Sequence, residues 1–517
     1  MKISFIKRLC VSACATLVAS SAQAVYLSTT GTGQVLIYPY YTVRNGFATL
    51  LSVTNTQNNT KALKIRFREG MNGRDVSNFS LFLAPNDTWT AAVTDTANGA
   101  RILTNDNSCV VPSFFFDETH KFSGTTQTFN EFYNFMYTGI RQDNPAFASL
   151  DRTREGFFEI IEMGVIDASL SNTAAQIIGF VGAQNCATLD RFDGAVLVPG
   201  SIQFPNSGAP LMAPPRGGLR GWASLINAAS GANYTFRPTV LDGWSSQVAY
   251  SGAGSFNGTL LRDAFPATSM VTTPAGVVVS QWENGRDAVS AALMRESVIN
   301  DFVLDAGTDS QTDWIITFPT KPFYTDPIYS NTGSRAPFSG PFSSTATTGC
   351  DGYEPSTLNR EGSGTAIILP GLTPPSPPGW GDALLCMTAG VVPFLGSRTG
   401  DGSPPVSLLG STNLSPMSYY HAYLSVIGSM SAPSTLTSPA LRGTVGPNGR
   451  ETFLFSQRQL PQPGLATLIS PSGMQTTIPG KHFGLPVIGL MLHNYKNTGV
   501  TSRYGGVIEH SYSVRVE

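Results

Sequence analysis

A chain of 517 residues with 32 basic and 34 acidic side chains is almost neutral, and charged residues make up only 13% of it. That is about half the usual share for a soluble globular domain, and it lacks the basic excess that a phosphate backbone selects. Nucleic acid is therefore excluded as an expected partner. The Ser, Thr, Asn and Gly that fill the polar positions suit an exported β-protein better than long exposed helices.

The chain opens like a secretory leader. Lys2, Lys7 and Arg8 give a cationic start, residues 9–18 an apolar run, and Ala22-Gln23-Ala24 the A-x-A cleavage pattern. Cleavage is expected after Ala24, leaving Val25 as the new N-terminus. A competing lipoprotein box, Val11-Ser12-Ala13-Cys14, stands only about five residues after Arg8, short of the roughly seven to fifteen of an apolar h-region. The processed chain carries 29 basic and 34 acidic residues, a net charge of −5. With no later run of about eighteen apolar residues, no membrane-spanning helix is expected. An outer-membrane barrel is disfavoured by the final Glu517, where such barrels carry an aromatic residue, and by the lack of aromatic girdles.

The expected fold class is mainly β: one or more immunoglobulin-like β-sandwich modules with short helical insertions. Asn-Gly recurs at Asn45, Asn72, Asn98, Asn257, Asn284 and Asn448, and Asp-Gly at Asp193, Asp242, Asp351 and Asp401. These pairs supply the positive-φ residues of tight hairpin turns. Residues 35–43 and 47–53 flank the first turn. Over 61–68, Leu63, Ile65 and Phe67 face one way and Lys64, Arg66 and Arg68 the other; Phe79, Leu81 and Leu83 repeat the alternation. The spacing predicts an N-terminal sandwich over 25–112, a mixed insertion over 113–215, a second β-rich region over 216–345 and a C-terminal β-rich region over 346–517.

Residues 114–116 open an aromatic, irregular stretch. Helices are expected over 173–182, around Ile177, Ile178 and Val181, and over 286–304, where Val289, Leu293, Ile299 and Phe302 share a face. A strand over 313–318 and a proline-rich loop over 370–378 follow. At the end, Ile508, His510, Tyr512, Val514 and Val516 alternate with Glu509, Ser511, Ser513 and Arg515, the pattern of a single strand.

Four cysteines lie beyond the leader: Cys109, Cys186, Cys350 and Cys386. Four allow three connectivities. Sequential pairing, Cys109 to Cys186 and Cys350 to Cys386, is expected because each pair closes one local insertion. A metal site is disfavoured by the absence of C-x-x-C and of histidines at ligand spacing, and no cofactor is expected.

The runs Gly33-Gln-Val-Leu-Ile-Tyr-Pro-Tyr-Tyr-Thr-Val43, Arg154-Glu-Gly-Phe-Phe-Glu-Ile-Ile-Glu-Met-Gly164 and Thr312-Asp-Trp-Ile-Ile-Thr-Phe-Pro-Thr-Lys321 resemble a group of exported proteobacterial β-rich proteins without an assigned activity. The resemblance spans most of the processed chain. It implies an envelope or extracellular protein with cysteines in similar places and carries no catalytic residues.

No G-x-S-x-G, H-E-x-x-H, EF-hand or P-loop motif occurs. Glu155, Glu159 and Glu162 lie in an apolar run; a carboxylate pair such as Glu159 and Glu162 is what glycoside hydrolysis needs. The plainer reading has these side chains facing solvent or pairing with Arg152 or Arg154. His482, His493 and His510 offer imidazoles without short ligand spacing, and half-buried structural histidines explain them better. Asp305, Asp309 and Asp313 suit a calcium loop less well than helix-ending and turn roles. Tyr38, Tyr40, Tyr41, Trp222, Trp244, Trp282, Trp314 and Trp380 supply rings for a core, for sugar stacking or for a protein contact. The expected function is that of an exported non-enzymatic surface or extracellular protein in adhesion, matrix formation or self-assembly, with the periplasm as the other location. Its expected partners are copies of itself, other surface proteins or glycans. The alternative is a carbohydrate-binding or carbohydrate-hydrolysing exported protein.

Overall fold

The computed structural model describes residues 23–112, 115–122, 125–189, 211–252, 255–303, 310–330, 336–341, 349–359, 383–394, 407–414, 448–496 and 503–517. Asp305, Asp309, Trp380 and the proline-rich 370–378 lie outside these residues. The protein is mainly β, and its named strand pairs are all antiparallel.

The first sheet has the spatial order β1 (Tyr26–Leu27), β15 (Thr239–Asp242), β2 (Val35–Thr42), β11 (Glu155–Ile166), β4 (Thr60–Glu69), β5 (Asp75–Leu83) and β8 (Cys109–Val111), with β12 (Met212–Ala213) joined to β11. The second runs β14 (Ala232–Phe236), β13 (Leu219–Asn227), β3 (Ala48–Asn55), β6 (Thr88–Asp95), β7 (Ala100–Thr104), β10 (Thr125–Glu131) and β9 (Phe115–Phe122). Eight strands facing seven exceeds the seven to nine of an immunoglobulin-like module. The pair draws strands from three of the expected regions, because β11 inserts between β2 and β4 and β13 pairs with β3. The stretch after residue 114 is the hairpin β9–β10.

Five smaller sheets complete the described residues. One is β16 (Thr268–Thr273), β17 (Gly276–Gln281), β25 (Leu465–Ile469) and β26 (Gln475–Ile478). A second pairs β18 (Met294–Arg295) with β28 (Leu485–Pro486). The third runs β22 (Ala383–Leu385), β21 (Asp351–Asn359), β24 (Asn448–Leu454), β19 (Ser297–Val303) and β31 (Ser511–Ser513). The fourth runs β23 (Ala389–Phe394), β20 (Gln311–Thr317), β29 (Ile488–Lys496) and β30 (Arg503–Glu509). The last pairs β27 (His482–Phe483) with β32 (Arg515–Val516).

Two large cores meet at a central layer. Along β2, Leu36, Tyr38 and Tyr40 enter the core shared with the seven-stranded sheet, while Val35 and Ile37 enter the other. The same split divides Ile315 from Trp314 on β20, Val391 from Val392 on β23, and Leu492 from Met491 on β29. Period-2 side chains buried on both faces make this the middle of a three-layer arrangement. Stacked Tyr38 and Phe158, 4.2 Å apart, and Phe67 against Phe158 at 4.9 Å anchor one side. A third core packs α1 (Asn172–Gly182) through Ala174, Ile177 and Val181 onto Phe82, Cys109 and Met163. The Ser171 hydroxyl caps α1 by accepting from the Ala174 amide at 3.2 Å.

The second helix is shorter than its pattern suggested. α2 covers Gly285–Leu293, capped by the Asn284 side chain accepting from the Asp287 amide at 3.1 Å, and ends where Met294 turns extended. Ser297–Val303 is strand, with Val298 and Phe302 in the core, because β24 pairs with it along its length. The final strand is likewise divided into β30, β31 and β32, which serve three sheets. Val507 packs on a core and His510 reaches Trp314, while Ile508 and Tyr512 lie exposed, so the even residues do not share one buried face. No helix among the described residues is long and apolar enough to cross a membrane.

Candidate functional site

Alternation on β4 is as regular as the sequence indicates, but its polar face is dry. Lys64, Arg66 and Arg68 are fully buried, opposite Leu63, Ile65 and Phe67. A charge in such a place needs a partner and a complete set of hydrogen bonds. Arg68 donates from Nε to Glu159 Oε1 at 3.0 Å and from Nη1 to the Gly73 carbonyl at 3.0 Å, and its Nη1 lies 3.2 Å from Asp75 Oδ1. The guanidinium sits 5.4 and 5.3 Å from the ring centroids of Phe323 and Tyr329. Arg66 bonds Asp75 and donates to the carbonyls of Thr259 at 3.0 Å and Ser255 at 2.8 Å, tying the covering loop to the sheet. Burial opposes the Arg68 charge, yet Glu159 and Asp75 more than offset it and hold the cation charged. Burial pushes the Glu159 carboxyl up, against the pull of Arg68 and Arg66.

The other two glutamates are held by different groups. Glu162 accepts from Lys61 Nζ at 2.6 Å and from the amides of Arg216 at 3.1 Å and Gly217 at 2.8 Å. The left-handed backbone at Gly217 and Gly218, φ +72° and +78°, shapes that turn, and glycine enters such a conformation without the steric penalty of a Cβ. Burial raises the Glu162 carboxyl and lowers the Lys61 ammonium. Glu155 accepts from the Tyr40 hydroxyl and Arg44 Nε, both at 2.6 Å, and from Ser411 and Thr412. The three carboxylates share no hydrogen-bonding partner, and only Glu159 Oε2 is without a protein donor. None faces solvent, since all are 1% exposed or less. Arg152 pairs with Glu69 and Asp143, and Arg154 with Asp95 and Asp151. The partners expected from sequence proximity are thus replaced by residues of β4 and by Arg44.

The histidines are dispersed. His482 is fully buried, its Nε2 lies 3.1 Å from Ser280 Oγ, and burial pulls its pKa down to about 4. His510 lies between β30 and β31, bonded to Asn300 at 3.0 Å and the Ile315 carbonyl at 3.1 Å; burial brings it to about 4, although the carbonyl works the other way. His493 is lowered by burial too. Among the described residues, no group of three His, Cys, Asp or Glu is placed to hold a metal. Asp313 accepts from Ser407 Oγ at 2.6 Å and the Leu409 amide at 3.3 Å, and burial raises it to about 6.

These shifts set a pH profile. A histidine whose folded pKa is depressed contributes stability that is present above the unfolded value of about 6.5 and lost as pH falls toward 4, roughly 3 kcal/mol for one such group. Asp313, raised in the fold, acts oppositely: its contribution is present below its ordinary value and is lost as pH rises toward 6. Glu159 and Glu162, also raised by burial, act as Asp313 does, so the assignment is read from differences between proteins. From about pH 6.5 to 4.5 the urea midpoint of His482→Gln is expected to rise relative to wild type, and that of Asp313→Asn to fall relative to it; parallel profiles for all three proteins would contradict the assignment.

Tyr38, Tyr40, Tyr41, Trp244 and Trp314 are fully buried and Trp282 nearly so, whereas Trp222 is 39% exposed. The disulfides join Cys109 to Cys186 and Cys350 to Cys386, the sequential connectivity. Such bonds persist in oxidising compartments. Ala24 and Val25 are buried, with the Val25 amide donating to the Thr268 carbonyl at 2.8 Å.

The surface feature that sequence reasoning missed is the β16–β17–β25–β26 sheet. Its strands read TSMVTT, GVVVSQ, LATLI and QTTI and contain no charged residue. Val271, Val278 and Ala466 turn inward and are buried. The opposite face aligns Met270 with Val279 and Thr467, and Val277 with Ile469 and Gln475, all half-buried or exposed. Val25 bridges to Ser269 at one edge; at the other, β26 pairs only with β25 among the described residues. The unbroken neutrality of four short segments was the available signal. Compared with known proteins, the chain matches no family model, no curated protein and no solved structure.

Proposed function

We propose that the protein is an exported, non-enzymatic surface or extracellular protein that acts by adhesion or self-assembly, and that β26 is its assembly edge. In this reading the facing sheets form a scaffold sandwich of immunoglobulin-like kind, and the leader and two disulfides suit delivery outside the cytoplasm. The observation carrying the proposal is the uncharged, outward-facing sheet whose edge strand β26 pairs on one side only among the described residues. Exposed edges in monomeric proteins are normally guarded by short length, Lys, Pro or bulges; Gln475–Ile478 is short, four residues immediately ahead of Pro479, but carries neither Lys nor Pro within the strand.

The occupant is a second copy of the chain. Antiparallel pairing of β26 with its counterpart continues the sheet across a two-fold axis, satisfies the free backbone groups and places like neutral faces side by side. Sedimentation velocity of the oxidised protein over rising concentration is expected to show reversible association. Thr477→Lys, at an exposed position, is expected to abolish it and to change stability by less than about 0.5 kcal/mol. A wild-type protein that stays monomeric throughout, or a variant that associates equally, would overturn the proposal.

A further inference from the structure

A second outward surface has different chemistry. On the seven-stranded sheet, Ala223 and Leu225 of β13, Leu51 and Val53 of β3, and Trp89 and Val93 of β6 point into the core. The alternate residues therefore face outward. One cross-strand row is Trp222, the covered Ser52 and Thr90, and the next is Arg220, Thr54 and Thr88. Thr54 and Thr88 share a hydrogen bond of 2.9 Å between their hydroxyls, while Thr88, Thr90 and Arg220 are exposed. Arg220 makes no ion pair among the described residues, and Trp222 is the one exposed indole among the tryptophans described.

We propose that this face binds an acidic polysaccharide, with a pyranose ring stacked on Trp222, its hydroxyls meeting the Thr row, and a uronate carboxylate paired with Arg220. Three complementarities select that class. An indole face supplies an apolar platform for the C–H side of a sugar. Threonine hydroxyls act as both donors and acceptors, which matches a ligand made of hydroxyls; the Thr90 hydroxyl already donates to Asp106 Oδ2 at 3.4 Å, so the uronate carboxylate belongs at the Arg220 end of the face and not beside Thr90. Arg220 lies two residues from Trp222 on the same face, within reach of a carboxylate on the stacked or adjacent sugar, and a guanidinium binds carboxylates bidentately. The open cross-strand rows suit an extended chain lying over the sheet rather than an enclosed small molecule. This proposal does not depend on β26, which belongs to another sheet.

The test is calorimetric titration of the full processed protein with hexagalacturonate and hexamannuronate, with mannohexaose as the neutral control. At least one uronate oligomer is expected to bind and mannohexaose more weakly. Trp222→Ala is expected to weaken uronate binding about tenfold at an unchanged melting temperature. Arg220→Gln is expected to remove the preference over mannohexaose and the sensitivity to salt. Failure of both uronates to bind, or binding indifferent to Trp222→Ala, would overturn the site. Equal binding of mannohexaose with no effect of Arg220→Gln would overturn the acidic class.

Discussion

Arg68→Ala is expected to lower the unfolding free energy by about 3–5 kcal/mol, the usual consequence of removing one partner from a buried ion pair. Arg68 and Glu159 are both fully buried. Glu159 Oε1 receives two of the Arg68 N–H groups, at 3.0 and 2.9 Å, while Oε2 receives none. Truncation leaves the carboxylate with no cation in direct contact, weakens the hold on Asp75 and removes the plane lying against Phe323 and Tyr329. The cost reflects the stranded charge more than the net worth of the pair. The double replacement Arg68→Met with Glu159→Leu is therefore expected to recover much of the loss, because well-packed apolar groups replace buried ion pairs at little cost. Urea denaturation of the three proteins at pH 7 checks both statements. A loss below about 1 kcal/mol for Arg68→Ala would mean that water reaches the cluster.

Removal of the Cys109–Cys186 bond by paired alanine substitutions is expected to cost about 4 kcal/mol. The bond closes a separation of 77 residues, between the 15-residue loop worth about 3 and the 100-residue loop worth about 4.7 kcal/mol in the chain-entropy model. Removal of Cys350–Cys386, with a separation of 36 residues, is expected to cost less by roughly half a kcal/mol, since the dependence is logarithmic. The two losses differ in location as well. Cys109 belongs to the core that receives Ile177 and Val181, so the first substitution is expected to deprotect the amides of α1 in hydrogen exchange before those of β2 or β4. Equal protection of all three elements would contradict the local role of the bond.

Much of the β-structure was legible because alternation is a local property. Leu63, Ile65 and Phe67 announce β4 as plainly as Ile177, Ile178 and Val181 announce α1. Alternation shows that two faces differ, but it does not show that the polar face is wet. The pattern sets Lys64, Arg66 and Arg68 apart from Leu63, Ile65 and Phe67, and in the fold the covering loop, Phe323 and Tyr329 close over them. Glu159 and Glu162 were visible as candidates, whereas their cations come from β4, far upstream, through a strand register that no local pattern encodes. Helical spacing misled at Ile299 and Phe302 because a buried strand flanked by β24 and β31 also presents apolar residues at mixed intervals. The neutral sheet joins residues 268–281 to residues 465–478, two parts of the chain that nothing in the sequence places side by side.

In the proposed assembly, β26 pairs with the β26 of another copy of the chain. Hydrogen–deuterium exchange of the oxidised protein at low and high concentration tests it most directly, since strand pairing protects the amides that join it. Protection is expected to rise with concentration in Gln475–Ile478, to stay constant in the buried β4 and β11, and to be lost from Gln475–Ile478 in Thr477→Lys. Exchange of Gln475–Ile478 that stays fast at every concentration would contradict it.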